Sequence, residues 1–193
     1  MTSNRSENNS YRGELVRMET RTLVAYASKY GSTKEVAESI TKTLQENGLT
    51  VDLEHAKKVH SLEEYSAVVL GAPIYVTHLH KDAAGFLSKH HEALKKLPVA
   101  IFVLGPLSNE EEEWKEARSN LDKDLGKFPW FRPVDTKIFG GKFDPKNLRF
   151  PDSLLARLPA SPIHNMPASD IRDWTEIRAW AGQLATRLQP ALT

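Results

Sequence analysis

Leu23-Val24-Ala25-Tyr26-Ala27-Ser28-Lys29-Tyr30-Gly31-Ser32-Thr33-Lys34-Glu35-Val36-Ala37 is the stretch that decides the fold. An almost unbroken apolar run gives way to a hydroxyl-rich turn with one glycine, and then to apolar residues at helical spacing. That sequence of events describes a strand buried on both faces, passing through a tight loop into a helix. Ser32 and Glu35 read as a capping box, Val36, Ala37, Ile40 and Leu44 as the buried side of the helix, and Asn47-Gly48 as its stop.

Outward from this unit the pattern repeats. Ala67–Ala72 and Val99–Gly105 are, like Thr22–Ala27, continuously apolar and belong in the middle of a sheet. Leu49–His55 and Val134–Gly140 alternate apolar with polar residues and suit its edges. Edges at the second and fifth strands agree with a doubly wound α/β fold, a five-stranded parallel sheet in the order 2-1-3-4-5. Further helices are expected over Asp82–Leu97, ended by Pro98; after a Ser108/Glu111 capping box, with Trp114, Ala117, Leu121 and Leu125 inward and Gly126 as stop; and after Asp173/Glu176, with Trp174, Ile177, Ala181, Leu184 and Leu188 inward. A single helical turn is expected near Ser61–Tyr65. Gly141 to Asp170, about thirty residues rich in Pro, Asp, Asn, Lys and Arg, interrupts the alternation as a long insertion before the last helix.

The chain has 193 residues, enough for one well-buried core, and we assign residues 21–193 to one domain and residues 1–20, polar and without an apolar run, to a disordered tail. That tail resembles neither a signal peptide nor a membrane span, which points to a cytoplasmic protein without a transmembrane segment; peripheral membrane contact stays open. With 26 basic and 25 acidic residues, charge gives no reason to expect nucleic acid as a partner. Cysteine is absent, so thiolate metal sites, disulfides and cysteine nucleophiles are excluded and redox chemistry must come from a bound organic group.

In an open parallel sheet, ligands bind beyond the C-terminal strand ends where the strand order reverses. The loops reaching that crevice are Ser28–Thr33, Pro73–Lys81, Gly105–Asn109 and Gly140–Lys142. In the first, the hydroxyls of Ser28, Ser32 and Thr33 converge with backbone N–H groups at a helix N-terminus, a combination suited to phosphate. The second glycine and lysine of a P-loop are missing, and no G-x-G-x-x-G follows a strand, so a phosphomonoester is favoured over a triphosphate or dinucleotide.

The stretch Leu23–Ala37 resembles the flavodoxin signature. Val68-Val69-Leu70-Gly71-Ala72-Pro73-Ile74-Tyr75 resembles the family's loop beside the isoalloxazine, and Ile138-Phe139-Gly140-Gly141-Lys142-Phe143 adds support. The Gly140-Gly141 turn, the insertion and the Asp173-Trp174 helix resemble the menaquinone-dependent protoporphyrinogen oxidases within that superfamily. The resemblance implies noncovalent FMN, with Ser28, Lys29, Tyr30, Gly31, Ser32 and Thr33 around the phosphate. It places Ala72, Pro73, Ile74, Tyr75, Gly105, Pro106 and Leu107 by the ring, with Gly140 and Gly141 completing the crevice. Tyr75 could equally stack on the flavin or pack in the core. No residue is singled out as catalytic.

The near-zero net charge and the insertion differ from the small acidic flavodoxins and favour a substrate-using oxidoreductase over an electron shuttle; the resemblance implies protoporphyrinogen IX as the small-molecule substrate and a quinone as the acceptor. A flavodoxin-type electron carrier and a flavin-free regulatory module are the alternatives. Glu110–Glu113 read as a solvated first helical turn, and His78 and His80 as surface or structural residues rather than a metal site. His90-His91 read as helical and without catalytic duty. Lys142, Lys146, Arg149 and Arg157, with Phe143 and Phe150, fit either substrate carboxylates or a solvated loop.

Overall fold

A computed structural model describes residues 21–75, 78–161 and 163–188. The tail expected over residues 1–20 lies outside the described residues, as does the side chain of Tyr75. In chain order the elements are β1 (Arg21–Tyr26), α1 (Ser32–Glu46), β2 (Thr50–His55), β3 (Tyr65–Tyr75), β4 (His78–Leu79), α2 (Lys81–Lys89), α3 (His91–Leu94), β5 (Val99–Leu104), α4 (Glu111–Leu125), β6 (Asp135–Phe139), β7 (Lys142–Phe143), α5 (Asp152–Leu155), β8 (Ser169–Asp170) and α6 (Trp174–Leu188). Single 3-10 turns occupy Ala56–Lys58 and Pro145–Asn147.

Five strands pair in parallel in the order β2-β1-β3-β5-β6, which is the expected 2-1-3-4-5 once the short β4 is set aside as an antiparallel arm folded onto the end of β3. The strand alternation divides the core. Leu23, Ala25, Val68, Leu70, Ile101 and Val103 face α2 and α4, burying Phe86, Leu87, Ala117 and Leu121. Val24, Val69, Phe102 and Phe139 face α1 and α6, burying Val36, Ile40, Leu44, Ile177, Trp180 and Leu184. Both β1 and β5 are therefore sandwiched, and their sequences are apolar on both sides for that reason. Gly71 fits this packing closely: a Cβ there would lie 2.2 Å from the Phe102 ring.

Several boundaries differ from the sequence reading. Strand β3 runs through Pro73, Ile74 and Tyr75, which were expected in a loop, because His78–Leu79 returns and pairs with Ile74 and Tyr75. Proline is tolerated at the end of this strand, where pairing is giving way to the turn. Tyr65 opens β3 rather than closing a helical turn, although its N–H does bond Leu62 O at 3.1 Å. The helix expected over Asp82–Leu97 breaks at His90 into α2 and α3, and starts one residue early under an Nδ1 cap from His80 to the Asp82 N–H.

The capping boxes at Ser32/Glu35 and Ser108/Glu111 do not form. Gly31 is the residue before α1, in the left-handed conformation with φ 93°, and provides no side-chain cap. Glu110 precedes α4 without capping it either. Asp173 does cap α6, its Oδ1 accepting the N–H groups of Thr175 at 2.8 Å and Glu176 at 3.0 Å.

Candidate functional site

Parallel strands deliver their C-terminal ends to one edge, and the four expected loops meet there. Ala27 N–H bonds Gly71 O at 2.8 Å, carrying the β1–β3 pairing to the mouth of the first loop. Gly105 N–H bonds Phe139 O at 3.3 Å and Gly141 N–H bonds Pro106 O at 2.6 Å, so the loops after β5 and β6 are tied to each other. A Cβ on Gly105 would touch Ile74 at 3.9 Å, and one on Gly141 would lie 3.1 Å from Leu107. Ala72 and Pro73 are buried in β3 at the same edge, and the Gly140 backbone lies against Ile171. The geometry thus brings Ile74, Gly105, Pro106, Leu107, Gly140 and Gly141 together on one side of the crevice, with Ser28–Thr33 across the end of β1.

The first loop presents groups of a kind that can bind an anion. Ser28 Oγ accepts the Gly31 N–H at 2.9 Å, and Gly31 turns the chain in a conformation that a residue with a Cβ would strain to adopt. The first N–H groups of α1 have no intrahelical acceptors and no side-chain cap, leaving the positive end of the helix dipole open. Thr33 is fully buried, and its Oγ1 has no hydrogen-bond partner. A buried hydroxyl without a partner is costly in a folded protein, so its retention beside uncapped N–H groups fits a bound anionic oxygen.

Lys29 and Tyr30 are occupied elsewhere. Asp152, at the start of α5, accepts from Lys29 Nζ at 2.6 Å and from Tyr30 OH in a short hydrogen bond. Partial burial works against the Asp152 charge, but the bonds from Lys29 and Tyr30 outweigh it and hold its carboxyl below the usual range. Burial and Asp152 together push the Tyr30 phenol up. The long insertion is therefore pinned to the loop by its own aspartate, and the anion-binding groups that remain are backbone N–H groups and hydroxyls.

The loop after β5 is fixed by Glu113, which was expected to be solvated. Its carboxylate accepts the Leu107 N–H at 2.6 Å, the Ser108 N–H at 3.0 Å and the Ser108 hydroxyl at 2.5 Å. Glu110, Glu111 and Glu112 are exposed as expected. The loop after β6 is held by Arg172, whose side chain is 3% exposed and which bonds Glu35 at 2.7 Å and Asp170 at 2.6 Å. Arg172 thereby connects the start of α1 to the two-stranded β7–β8 ribbon that brackets the insertion.

The residues 23–162 match the sequence pattern described as a flavodoxin domain. This chain belongs to the flavodoxin-domain family. Membership implies a flavin cofactor and places the protein among flavin-dependent redox proteins. The chain is 25% identical over 176 residues to the protoporphyrinogen IX dehydrogenase (quinone) of Escherichia coli K12, covering 86% of this chain and 94% of that protein. Among solved structures, Flavodoxin 1 of Bacillus cereus superposes with a TM-score of 0.55 at 16% identity, covering 90% of this chain and all of that one. A single-residue variant of a Pseudomonas aeruginosa flavodoxin gives 0.56 at 16% identity, covering 89% of this chain and all of that one. Both likenesses support the fold.

His78 and His80 flank the return of β4 onto β3. His78 Nδ1 lies 3.4 Å from Asp124 Oδ1, and His80 caps α2. Asp124 also accepts the Leu79 N–H at 2.5 Å and Lys127 Nζ at 2.6 Å. Among the described residues no cluster of three or more His, Asp or Glu side chains is placed to hold a metal, and no helix is long and apolar enough to cross a membrane.

Sequence reasoning missed Glu113, Asp124, Asp152 and Arg172. Asp124 had a legible signal, since a carboxylate there continues the inward-facing stripe of Ala117 and Leu121 on α4. Asp152 had none, because Tyr30 lies 122 residues away in sequence, and neither did the pairing of Arg172 with Glu35, 137 residues apart.

Proposed function

We propose that the chain is an FMN-dependent oxidoreductase that dehydrogenates a small organic substrate of the protoporphyrinogen IX class and delivers the electrons to a quinone. The observation that carries the cofactor reading is the uncapped start of α1 with the orphaned Thr33 hydroxyl beside it. The phosphate of FMN suits that place: Ser28 shapes the turn, Gly31 opens it, and Ser32 and Thr33 offer N–H and hydroxyl groups. Ala72, Pro73, Ile74, Tyr75, Gly105, Pro106 and Leu107 form the ring side, with Gly140 and Gly141 closing behind the β5 loop.

Bound FMN supplies two-electron chemistry at its ring. The share of the polypeptide is to orient that ring and to exclude competing reactions. Glu113, by taking both N–H groups of Leu107 and Ser108, keeps the β5 loop in one conformation and spares it a mobile backbone at the ring. Asp124 does the same for β4 through Leu79. No side chain of this chain is assigned a proton-transfer role.

The substrate and acceptor rest on the likeness to protoporphyrinogen IX dehydrogenase (quinone), which extends over 94% of that protein and includes the insertion. The near-neutral net charge of +1 supports this reading over an acidic electron carrier. Anaerobic incubation of FMN-loaded protein with protoporphyrinogen IX and menaquinone should give quinone-dependent porphyrin formation well above that of free FMN. A rate no greater than free FMN, together with fast reduction by a flavodoxin reductase, would assign the chain to electron transfer instead.

A further inference from the structure

We propose that Arg172 is a positioning residue for the anion site at the start of α1: it draws the Glu35 carboxylate away from the helix N-terminus and so keeps the N–H groups there free for phosphate. The inference rests on the phosphate reading above. It adds the residue that keeps a competing anion, supplied by the chain itself, out of the site.

The competitor is local. Glu35 N–H bonds Gly31 O at 3.0 Å, which puts its side chain in the first turn of α1. It follows Ser32 by three residues, the spacing at which a glutamate reaches back to a backbone N–H at the start of its own helix. The helix dipole favours a carboxylate in that place. Folded back in this way, Glu35 would take a donor that the phosphate uses and set a negative charge beside a dianion. No side chain caps α1, however, and the Glu35 carboxylate is held elsewhere.

Arg172 accounts for the difference, and its guanidinium is fixed independently of Glu35. Nε donates to Asp170 Oδ1 at 2.8 Å and Nη2 to Asp170 Oδ2 at 2.6 Å, while Cζ lies 4.7 Å from the centre of the Trp174 ring. This two-pronged, stacked arrangement leaves Nη1 for the start of α1. Nη1 donates to Glu35 Oε2 at 2.7 Å and to the Ser32 carbonyl oxygen at 3.4 Å. Lys142 Nζ is the second cation at this corner, 3.8 Å from Glu35 Oε2 and 4.0 Å from Asp170 Oδ2. Two cations thus face two carboxylates, which offsets the charge that would otherwise repel a phosphate at the neighbouring N–H groups. The holding is firm on the arginine side, where burial excludes water from the guanidinium, and Glu35 is the partner brought to it.

Titration of the flavin-free full chain with FMN and with riboflavin, which lacks the phosphate, tests the inference without turnover. Wild type should bind FMN more tightly than riboflavin. Arg172→Met should weaken FMN on the order of tenfold, the worth of a hydrogen bond to a charged group, and leave riboflavin nearly unchanged. Glu35→Ala, with no carboxylate to fold back, should bind FMN as well as wild type or better. In Arg172→Met/Glu35→Ala the FMN affinity should return to within about threefold of wild type, although every bond of Arg172 is still missing. A mere strut between α1 and the β7–β8 ribbon would give no such recovery, so a double variant as weak as Arg172→Met overturns the proposal. Undiminished FMN affinity in Arg172→Met overturns it as well. If Arg172→Met does not fold, Glu35→Ala alone decides: a loss of FMN affinity there makes Glu35 a part of the site and overturns its role as competitor. Equal wild-type affinities for FMN and riboflavin overturn the phosphate reading, and this inference with it.

Discussion

Asp124 Oδ2 accepts the backbone N–H of Leu79 at 2.5 Å, a contact that joins α4 to β4 across 45 residues of sequence. Asp124 is only 5% exposed, and its other oxygen holds Lys127 at 2.6 Å. One carboxylate thus fixes the return arm that folds onto the C-terminal end of β3.

Asp124→Asn keeps the shape and one acceptor but removes the charge from these bonds. Stability should fall by about 1–3 kcal/mol, read from urea denaturation, and the affinity for FMN should fall with it as β4 loosens. An unchanged unfolding midpoint would separate Asp124 from the support of β4.

Acid should weaken the fold in two stages. Burial pushes the His80 and His90 imidazoles down, so the folded state favours their neutral forms. Their contribution is complete above the ordinary value near 6.5 and is lost as pH falls from there through the depressed folded values. The second stage belongs to carboxylates. Arg172 holds Asp170 low, while at Asp124 and Asp152 burial is outweighed by Lys127 and Lys29 respectively. Their contribution is complete above the ordinary value of 3.8 and is lost as pH falls through the folded values. Thermal melts across this range should show both losses, and His90→Phe should diminish the first.

Gly71→Ala should cost about 1–3 kcal/mol, because its Cβ would enter the Phe102 ring and the ring must move against Phe139 and Trp180. The double variant Gly71→Ala/Phe102→Leu should recover part of the loss. A melting temperature equal to wild type in the single variant would show that the ring yields freely.

Asp152→Asn releases Lys29 and Tyr30 at the edge of the first loop. With Lys29 38% exposed, the loss of stability should be small, at most about 1 kcal/mol. Removing a negative charge and freeing a cation should strengthen FMN binding a few-fold at low salt, measured by quenching of flavin fluorescence.

The sheet and its order were legible because burial on both faces leaves a mark along the chain: β1 and β5 are apolar throughout, whereas β2 and β6 alternate. The first loop was legible through its hydroxyls and Gly31. The manner of its closing was not, since Ser32 and Glu35 have the spacing of a capping box and yet Arg172, from the far end of the chain, takes Glu35. Glu113 misled in the same way. Its place among four consecutive glutamates suggests solvent, and only the folded β5 loop supplies the N–H groups that draw it inward. Local patterns recorded which segments are buried, while the side chains that secure the loops answer to partners that sequence spacing does not announce.

The most direct measurement is titration of flavin-free protein with FMN, comparing wild type with Thr33→Val, which keeps the branched shape and removes the hydroxyl. Wild type should bind FMN saturably in a one-to-one ratio, and Thr33→Val should bind on the order of tenfold more weakly or worse while melting at the same temperature or higher. Wild-type protein that takes up no FMN, or a Thr33→Val variant of undiminished affinity, would contradict an anion site at the start of α1.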